Sequence, residues 1–284
     1  MLELLFSIYL TNTEIQENSS PEFFLKQSHT IEVSSIPKVI SSIDAILSAE
    51  SYLAVDTESN VKIFGKNSEK QLPIASLTKL MTALIILENH DLDEIVIVPK
   101  NALEVEGKKL WLLANERITV ENLLKGLLVT SGNDSAIALA QHHSKSVENF
   151  LNDMNLRAYE LQMKNSYFKN PHGLDMNGHY SSSEDLIILI QSLWKFKNFR
   201  EIVSMKTAKV YSLSQPTRVI DNTNKLLSNE VKGIKTGTTD AAGQCLALYV
   251  EKDGHKIFTV VLGSKKRFDD SSKLLDEIWN NIDW

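Results

Sequence analysis

Pro73-Ile74-Ala75-Ser76-Leu77-Thr78-Lys79-Leu80-Met81 opens a run in which Leu77, Leu80, Met81, Leu84, Ile85 and Leu87 recur along one broad helical face. Ser76 stands at the start of that predicted helix, so its backbone amide falls among the unpaired donors of a helix N-terminus. Lys79 follows one helical turn later, which puts hydroxyl and amine on the same face. A serine hydroxyl is a poor nucleophile until a base removes its proton. A lysine is a base only once it has lost its own charge, and burial or a neighbouring cation depresses its pKa. The apolar face around Lys79 and a second lysine, Lys235, are suitable causes. Alone, Ser-x-x-Lys reads more simply as a helix cap followed by a solvated lysine.

Two further strings change that reading. Ser131-Gly132-Asn133 follows the apolar run Leu123, Leu124, Leu127, Leu128, Val129. A polar loop at the end of a buried helix can aim a hydroxyl and an amide into a cleft: Ser131 relays a proton, Asn133 holds a substrate amide. The plain alternative is a helix stop followed by the cap of the next helix, from Asp134 onward. Lys235-Thr236-Gly237-Thr238 lies on a predicted strand. A strand beside the nucleophile pairs with an extended peptide through backbone hydrogen bonds, and Gly237 permits close backbone approach. Lys235 and the Thr236 hydroxyl suit a substrate carboxylate; the amides of Thr238 and Ser76 suit an oxyanion hole. Taken alone it is a surface strand with a glycine bulge. The three strings in this order describe serine acyl transfer with a lysine base and no histidine.

The surrounding pattern predicts an α+β fold. Tyr52-Leu53-Ala54-Val55, a polar turn at 56–60, and Val61-Lys62-Ile63-Phe64 read as a hairpin. Helical patterns follow in segments such as 120–129, 136–142 and 184–196. Strands return at 233–238, 245–250 and 257–262, with a turn at Lys252-Asp253-Gly254. Leu274, Leu275, Ile278, Trp279 and Ile282 form the stripe of a final amphipathic helix. Its polar side carries Asp269, Asp270, Asp276, Glu277 and Asp283, so packing on the sheet is favoured over a membrane surface. The expectation is an antiparallel sheet built from both chain ends and flanked by helices (about 36–75 and 205–284), with a mostly helical insertion (about 76–204).

The 284 residues are 43% hydrophobic with a net charge of -6. No basic surface for nucleic acid is implied, and the longest basic cluster, Lys265-Lys266-Arg267, is too short to suggest a polyanion partner. The one cysteine, Cys245, can form no internal disulfide. Met1–Leu10 is apolar but carries Glu3 and no early Lys or Arg, leaving a degenerate export signal or anchor and a plain tail both open. Residues 11–35 read as a polar linker. Residues 36–284 then form the catalytic domain, and the stretch from Thr238 to Trp284 has room for two strands and one helix.

The three motifs together form the signature shared by class A β-lactamases and penicillin-binding proteins. The chain resembles the low-molecular-mass penicillin-binding proteins, the serine-type D-alanyl-D-alanine carboxypeptidases of peptidase family S11. The likeness runs from about Ala49 to Leu275. It includes Asn170-Pro171-His172-Gly173-Leu174-Asp175, His179-Tyr180-Ser181, Asn222-Thr223-Asn224-Lys225-Leu226-Leu227 and Gly233-Ile234-Lys235-Thr236-Gly237. The resemblance implies a β-lactamase/transpeptidase-like fold. It implies Ser76 as acyl-ester nucleophile, Lys79 as proton acceptor, Ser131 as second catalytic hydroxyl, and Asn133, Lys235, Thr236, Gly237 and Thr238 as substrate contacts. It implies a peptidoglycan stem peptide ending in D-Ala-D-Ala as substrate, β-lactams as covalent inhibitors, and no metal or other cofactor. Action outside the cytoplasm follows from that substrate, with N-terminal membrane association open. Ser135, Ser182-Ser183 and Thr238-Thr239 depart from the usual family residues without removing a catalytic group. Many members add an all-β C-terminal domain and an amphipathic anchor; no such domain is expected here.

Rival readings remain. D,D-endopeptidases use the same motif set. A class A β-lactamase needs a further carboxylate in the pattern Glu-x-x-Leu-Asn, which Glu148–Asn152 matches, too close to Ser131. His172, Asp175 and His179 are ligand types for zinc. A non-catalytic penicillin-binding module would share the fold. Arg267, after the last strand, is either a further carboxylate contact or a solvated surface residue.

Overall fold

Strand-forming segments from the two ends of the sequence pair into one sheet, and the long intervening segment folds beside it. The structure is a computed structural model and describes residues 37–40 and 47–284. The apolar stretch Met1–Leu10 and the linker at 11–35 lie outside the described residues. Strands β1 (Lys38–Val39), β2 (Ser51–Asp56) and β3 (Lys62–Lys66) come first, then helix α1 (Lys79–Asn89). The middle of the chain forms β4 (Ile95–Ile97), β5 (Arg117–Thr119), α2 (Val120–Leu128), α3 (Asn133–Ser144), α4 (Val147–Glu160), α5 (Ser183–Trp194) and α6 (Lys197–Ser204). The chain then runs through β6 (Thr207–Val210), β7 (Arg218–Asp221), β8 (Val231–Thr239), β9 (Gly243–Lys252) and β10 (His255–Ser264). It closes with α7 (Arg267–Asn281) and β11 (Ile282–Asp283).

The main sheet has the order β3-β2-β10-β9-β8, antiparallel throughout. Successive side chains on a strand point to opposite faces, and both faces here are covered. On β9, Cys245, Ala247 and Tyr249 join Leu53, Val55, Phe258 and Val260 in the core shared with the helical segment. The alternate residues Leu246, Leu248 and Val250 join Tyr52, Ala54, Ile257 and Val261 on the other face. There α7 packs, with Leu274 and Ile278 fully buried. Double coverage explains why these strands read as continuous apolar runs instead of alternating ones. No helix among the described residues is long and apolar enough to cross a membrane.

Helix α1 runs through the middle of the helical segment, and every residue from Lys79 to Ile86 is buried. It packs against α2, α3, α4 and α5. Side-chain caps fix the starts of its neighbours: Thr119 accepts from the Asn122 amide, Ser146 from Asn149, and Ser182 from Asp185. Strand β8 is an edge of the main sheet and packs against the turn that precedes α1.

Two local expectations are corrected. Ser76 is not the first residue of an α-helix: Ala75–Thr78 form a tighter 3-10 turn, and α1 begins at Lys79. Ile282 is not part of the terminal helical stripe but pairs with Val39 in the β1–β11 ladder. The mostly helical insertion also holds β4 and β5, which form a small antiparallel ladder within it. Leu84 is fully buried on α1. Leu84→Ala should destabilise the fold by about 2–5 kcal/mol through lost burial and a residual cavity, read as a lower midpoint in urea unfolding. An unchanged midpoint would mean that α1 does not organise the core.

Candidate active site

The turn carrying Ser76 is held in an unusual backbone state. Ala75 has φ +47°, a left-handed conformation uncommon for alanine. Such a residue persists only where its surroundings over-determine it. Thr78 Oγ1 donates to the Ala75 carbonyl at 2.8 Å. Gly173, itself at φ +91°, presses on the same carbonyl, and a Cβ there would lie 1.9 Å from the Ala75 oxygen. Behind Thr78 stands His179, whose Nε2 is 2.7 Å from Thr78 Oγ1. The Lys169 amide donates to His179 Nδ1 at 3.0 Å. Nδ1 therefore carries no proton, and Nε2–H is the donor toward Thr78. Burial lowers His179 to about 4 despite the opposing Asp175 carboxylate, which keeps the ring neutral. The chain His179, Thr78, Ala75 thus sets the backbone next to Ser76.

Lys79 is completely buried at the first residue of α1. Its Nζ lies 3.0 Å from Ser76 Oγ, 2.7 Å from Asn133 Oδ1 and 2.5 Å from the His172 carbonyl oxygen. Burial is the main cause that lowers its pKa to about 7; the Asp134 carboxylate opposes the shift and the Lys108 charge adds to it. The partners decide what a neutral amine does. The Asn133 and His172 oxygens can only accept, so they take its two N–H groups. Its lone pair is left for the hydroxyl proton of Ser76.

Asn133 is held from three sides. Its Nδ2 donates to the Glu106 carbonyl at 2.6 Å, which fixes Oδ1 toward Lys79, and its backbone amide donates to the Lys108 carbonyl at 2.7 Å. Next to it, buried Asp134 accepts from the amides of Leu110 and Leu112 at 2.9 and 3.2 Å. These bonds bind the start of α3 to the loop that carries Lys108. Ser131, in the turn between α2 and α3, has φ +68° and is buried at the cleft. The plain alternative for this string holds in part: α2 does stop here and a helix follows, but its cap is Gly132 and not Asp134.

On β8, Gly237 lies against the Ser76 turn. A Cβ on it would stand 3.0 Å from the Ser76 amide nitrogen, the Ile74 oxygen and the Ala75 Cβ. Thr236 Oγ1 donates to Thr223 Oγ1 at 2.7 Å. Lys235 is buried, and its Nζ donates to the Thr236 carbonyl at 3.0 Å. Burial, with Lys79, Lys108 and Arg267 adding repulsion, holds Lys235 well below the ordinary lysine range. Arg267, at the start of α7, donates to the Gly237 carbonyl at 2.8 Å and to Thr238 Oγ1. It is therefore tied to the β8 edge and not merely solvated.

Ser76, Ser131, Asn133, Thr236, Gly237 and Thr238 line one cleft of about 190 Å³, shared with Lys108 and Arg267. Lys79 reaches it through Ser76 and Asn133, and Lys235 lies beneath its strand wall. A larger hollow of about 450 Å³ adjoins it across Gly173 and Leu174 but contains neither Ser76 nor a lysine. Sequence reasoning missed Lys108, the His172 carbonyl and the fit of Gly173. Lys108 sits in irregular backbone with no periodic signal, and a main-chain carbonyl leaves no trace in residue type. Lys235, named from the sequence as a cation near Lys79, does share a mutual repulsion with it, and Lys108 adds a second cation that the sequence did not reveal.

The residues of the zinc rival turn to separate partners. His172 Nδ1 accepts from the Leu174 amide, Asp175 accepts from Thr239 Oγ1 and the Ala241 amide, and His179 serves Thr78. Glu148 lies in the first turn of α4 and does not line the cleft.

Comparison with known proteins agrees with this geometry. The family model described as D-alanyl-D-alanine carboxypeptidase, peptidase S11, matches residues 38–266. The D-alanyl-D-alanine carboxypeptidase DacF of Bacillus subtilis is 34% identical over 238 residues, covering 80% of this chain and 61% of that protein. DacC of Escherichia coli is 31% identical over 247 residues, with 80% and 60% covered. The chain thus spans about three-fifths of the length of these curated relatives. The crystal structure of the Streptomyces K15 DD-transpeptidase superposes with a TM-score of 0.79 at 26% identity, covering 83% of this chain and 98% of that one. The D-alanyl-D-alanine carboxypeptidase DacD from Francisella tularensis gives 0.78 at 26% identity, with 89% and 75% covered. A family match over most of the chain, a shared sheet-and-helix architecture and a buried lysine beside a turn serine lead to one assignment: the chain belongs to the S11 peptidases, the D-alanyl-D-alanine carboxypeptidase family.

Proposed function

We propose that the protein is a serine D-Ala-D-Ala carboxypeptidase that removes the terminal D-alanine from peptidoglycan stem peptides through a Ser76 acyl-enzyme. One observation carries this reading: the Lys79 amine is buried between two carbonyl oxygens and the Ser76 hydroxyl. Lys79 takes the Ser76 proton as Oγ attacks the carbonyl of the penultimate D-alanine. The amides of Ser76 and Thr238 stabilise the oxyanion. Ser131 relays a proton to the leaving D-alanine amine, and Asn133 holds the substrate amide. An extended peptide adds to the free edge of β8. Its terminal carboxylate meets Lys235, Thr236 and Arg267, and the anion relieves the repulsion between Lys235 and Arg267. Water then hydrolyses the ester. β-Lactams, which mimic the D-Ala-D-Ala end, acylate the same serine. On this reading the action lies outside the cytoplasm, in the periplasm or on the outer face of the cell membrane, in cell-wall synthesis and remodelling.

Fluorescent penicillin should label the wild-type chain covalently and leave Ser76→Ala unlabelled; labelling that survives in the variant would remove Ser76 as nucleophile. Mass analysis of peptidoglycan pentapeptide should show loss of one alanine, whereas split cross-links without that loss would mean endopeptidase action.

The base form of Lys79 is its neutral amine, so the acylation rate should fall as pH drops through about 7 and level off above it. Stopped-flow acylation across this range tests the sign. A rate that stays flat well below that pH would exclude Lys79 as the base.

Gly237→Ala forces a methyl against the Ser76 amide. It should slow acylation by about 100-fold, because displacement of reacting groups by about 1 Å costs that much, with the unfolding midpoint little changed. Wild-type acylation in this variant would mean that strand and serine need no such close approach.

A further inference from the structure

Away from the cleft, the C-terminal ends of α1 and α3 meet at a cluster of imidazoles and a carboxylate. His90 is the residue that ends α1, Glu94 closes the loop after it, and His142 stands in the last turn of α3. His90 Nδ1 lies 2.9 Å from Glu94 Oε2, and His142 Nε2 lies 3.0 Å from the same oxygen. The three atoms all fall within 4.8 Å of one another, and among the described residues no other group of three His, Cys, Asp or Glu is gathered this way. Zinc bonds of about 2.0–2.1 Å to nitrogen and oxygen imply ligand separations of about 3.3 Å in a tetrahedron. Two of the three separations are therefore already close to those of bound ligands.

The surroundings are built in the same sense. Glu94 Oε1 accepts from the Asp91 amide at 2.8 Å, which orients the carboxylate, and its backbone is tied to Val120. His90 turns its other ring nitrogen, Nε2, to His143 Nδ1 at 2.9 Å. His143 Nε2 faces Asp153 Oδ2 at 3.7 Å, and Ser144 Oγ donates to that carboxylate oxygen at 2.5 Å. A metal-bound histidine commonly donates its far N–H to an acceptor in this manner, with a carboxylate behind it. Two helix C-termini also direct partial negative charge at the cluster, which favours a cation. The side chains of His90, His142 and Glu94 are 14%, 20% and 37% exposed, so an ion can enter from solvent.

We propose that His90 Nδ1, Glu94 Oε2 and His142 Nε2 bind one divalent cation of the zinc type, with water completing the coordination. In the bound form the His90 proton sits on Nε2 and is donated to His143. The adjacent His142 and His143 then supply one ligand and one supporting ring. The ion is structural: it joins the far ends of the two helices whose first residues are Lys79 and Asn133, and it takes no part in the acyl transfer.

The test uses the full chain loaded with zinc, freed of unbound metal and analysed by mass spectrometry of the metal. The wild type should retain about one zinc per chain and unfold at a higher temperature than after chelation. Glu94→Gln and His142→Ala should each lose both the zinc and the thermal gain. Retention of zinc in these variants, or none in the wild type, would overturn the site. A second measurement needs no variant: zinc added to the wild type should shift the ring resonances of His90 and His142 and leave those of His172 and His179 in place. Shifts confined to His172 and His179 would contradict the proposal. Chelation should leave fluorescent penicillin labelling unchanged. Labelling lost on chelation would put the ion in the cleft, against this assignment, while failure of labelling with zinc still bound would count against Ser76 chemistry alone.

Discussion

A lysine amine buried away from the surface is the constraint around which the rest of the molecule is arranged. An ammonium taken out of water is costly unless it is paired, and such a group ordinarily shifts its pKa and loses its charge. Lys79 has no carboxylate among its hydrogen-bond partners, which are the Ser76 hydroxyl, the Asn133 side-chain oxygen and the His172 carbonyl. Asp134 acts only at a distance and is itself occupied by the amides of Leu110 and Leu112. The environment therefore favours the neutral amine and leaves its lone pair one useful direction. In the proposed mechanism, activation of the serine follows from burial and partner type.

Each of those partners comes from a different part of the chain, which is why so much of the structure is needed to hold one nitrogen. Lys79 begins α1, Asn133 begins α3, and the His172 carbonyl comes from the loop before α5. That loop enters the turn through Gly173, where a side chain would collide with Ala75, and the adjoining His179 steadies the same turn through Thr78. The sheet contributes from the other side. Gly237 lets β8 approach the Ser76 amide, and the edge position of β8 keeps its outer backbone open to an extended ligand. Arg267, at the start of the helix that covers the far face of the sheet, reaches back to the same edge.

Much of this was legible in residue order. The sheet drawn from both chain ends followed from apolar runs at 52–55, 245–250 and 257–262, because strands covered on both faces leave continuous hydrophobic stretches. The cleft residues were legible because three strings, each uninformative alone, occur together in one order. What escaped has a common physical cause. The His172 carbonyl is a backbone group, and Lys108 acts through a loop with no period of its own. The left-handed state of Ala75 is imposed by Gly173, distant in sequence. The end of α7 was misread because Ile282 satisfies a helical stripe and a strand pairing equally well; its ladder with β1 decides between them. Tertiary placement, not local propensity, determines all four.

The protonation state of Lys79 can be observed directly. Nuclear magnetic resonance titration of the chain with labelled lysine side chains, assigned by the resonance that vanishes in Lys79→Arg, reads it without reference to turnover. The account predicts that Lys79 titrates near 7, well below its solvated counterparts. A Lys79 that instead titrates near the ordinary value of about 10.4 would leave a charged ammonium beside Ser76 and contradict it.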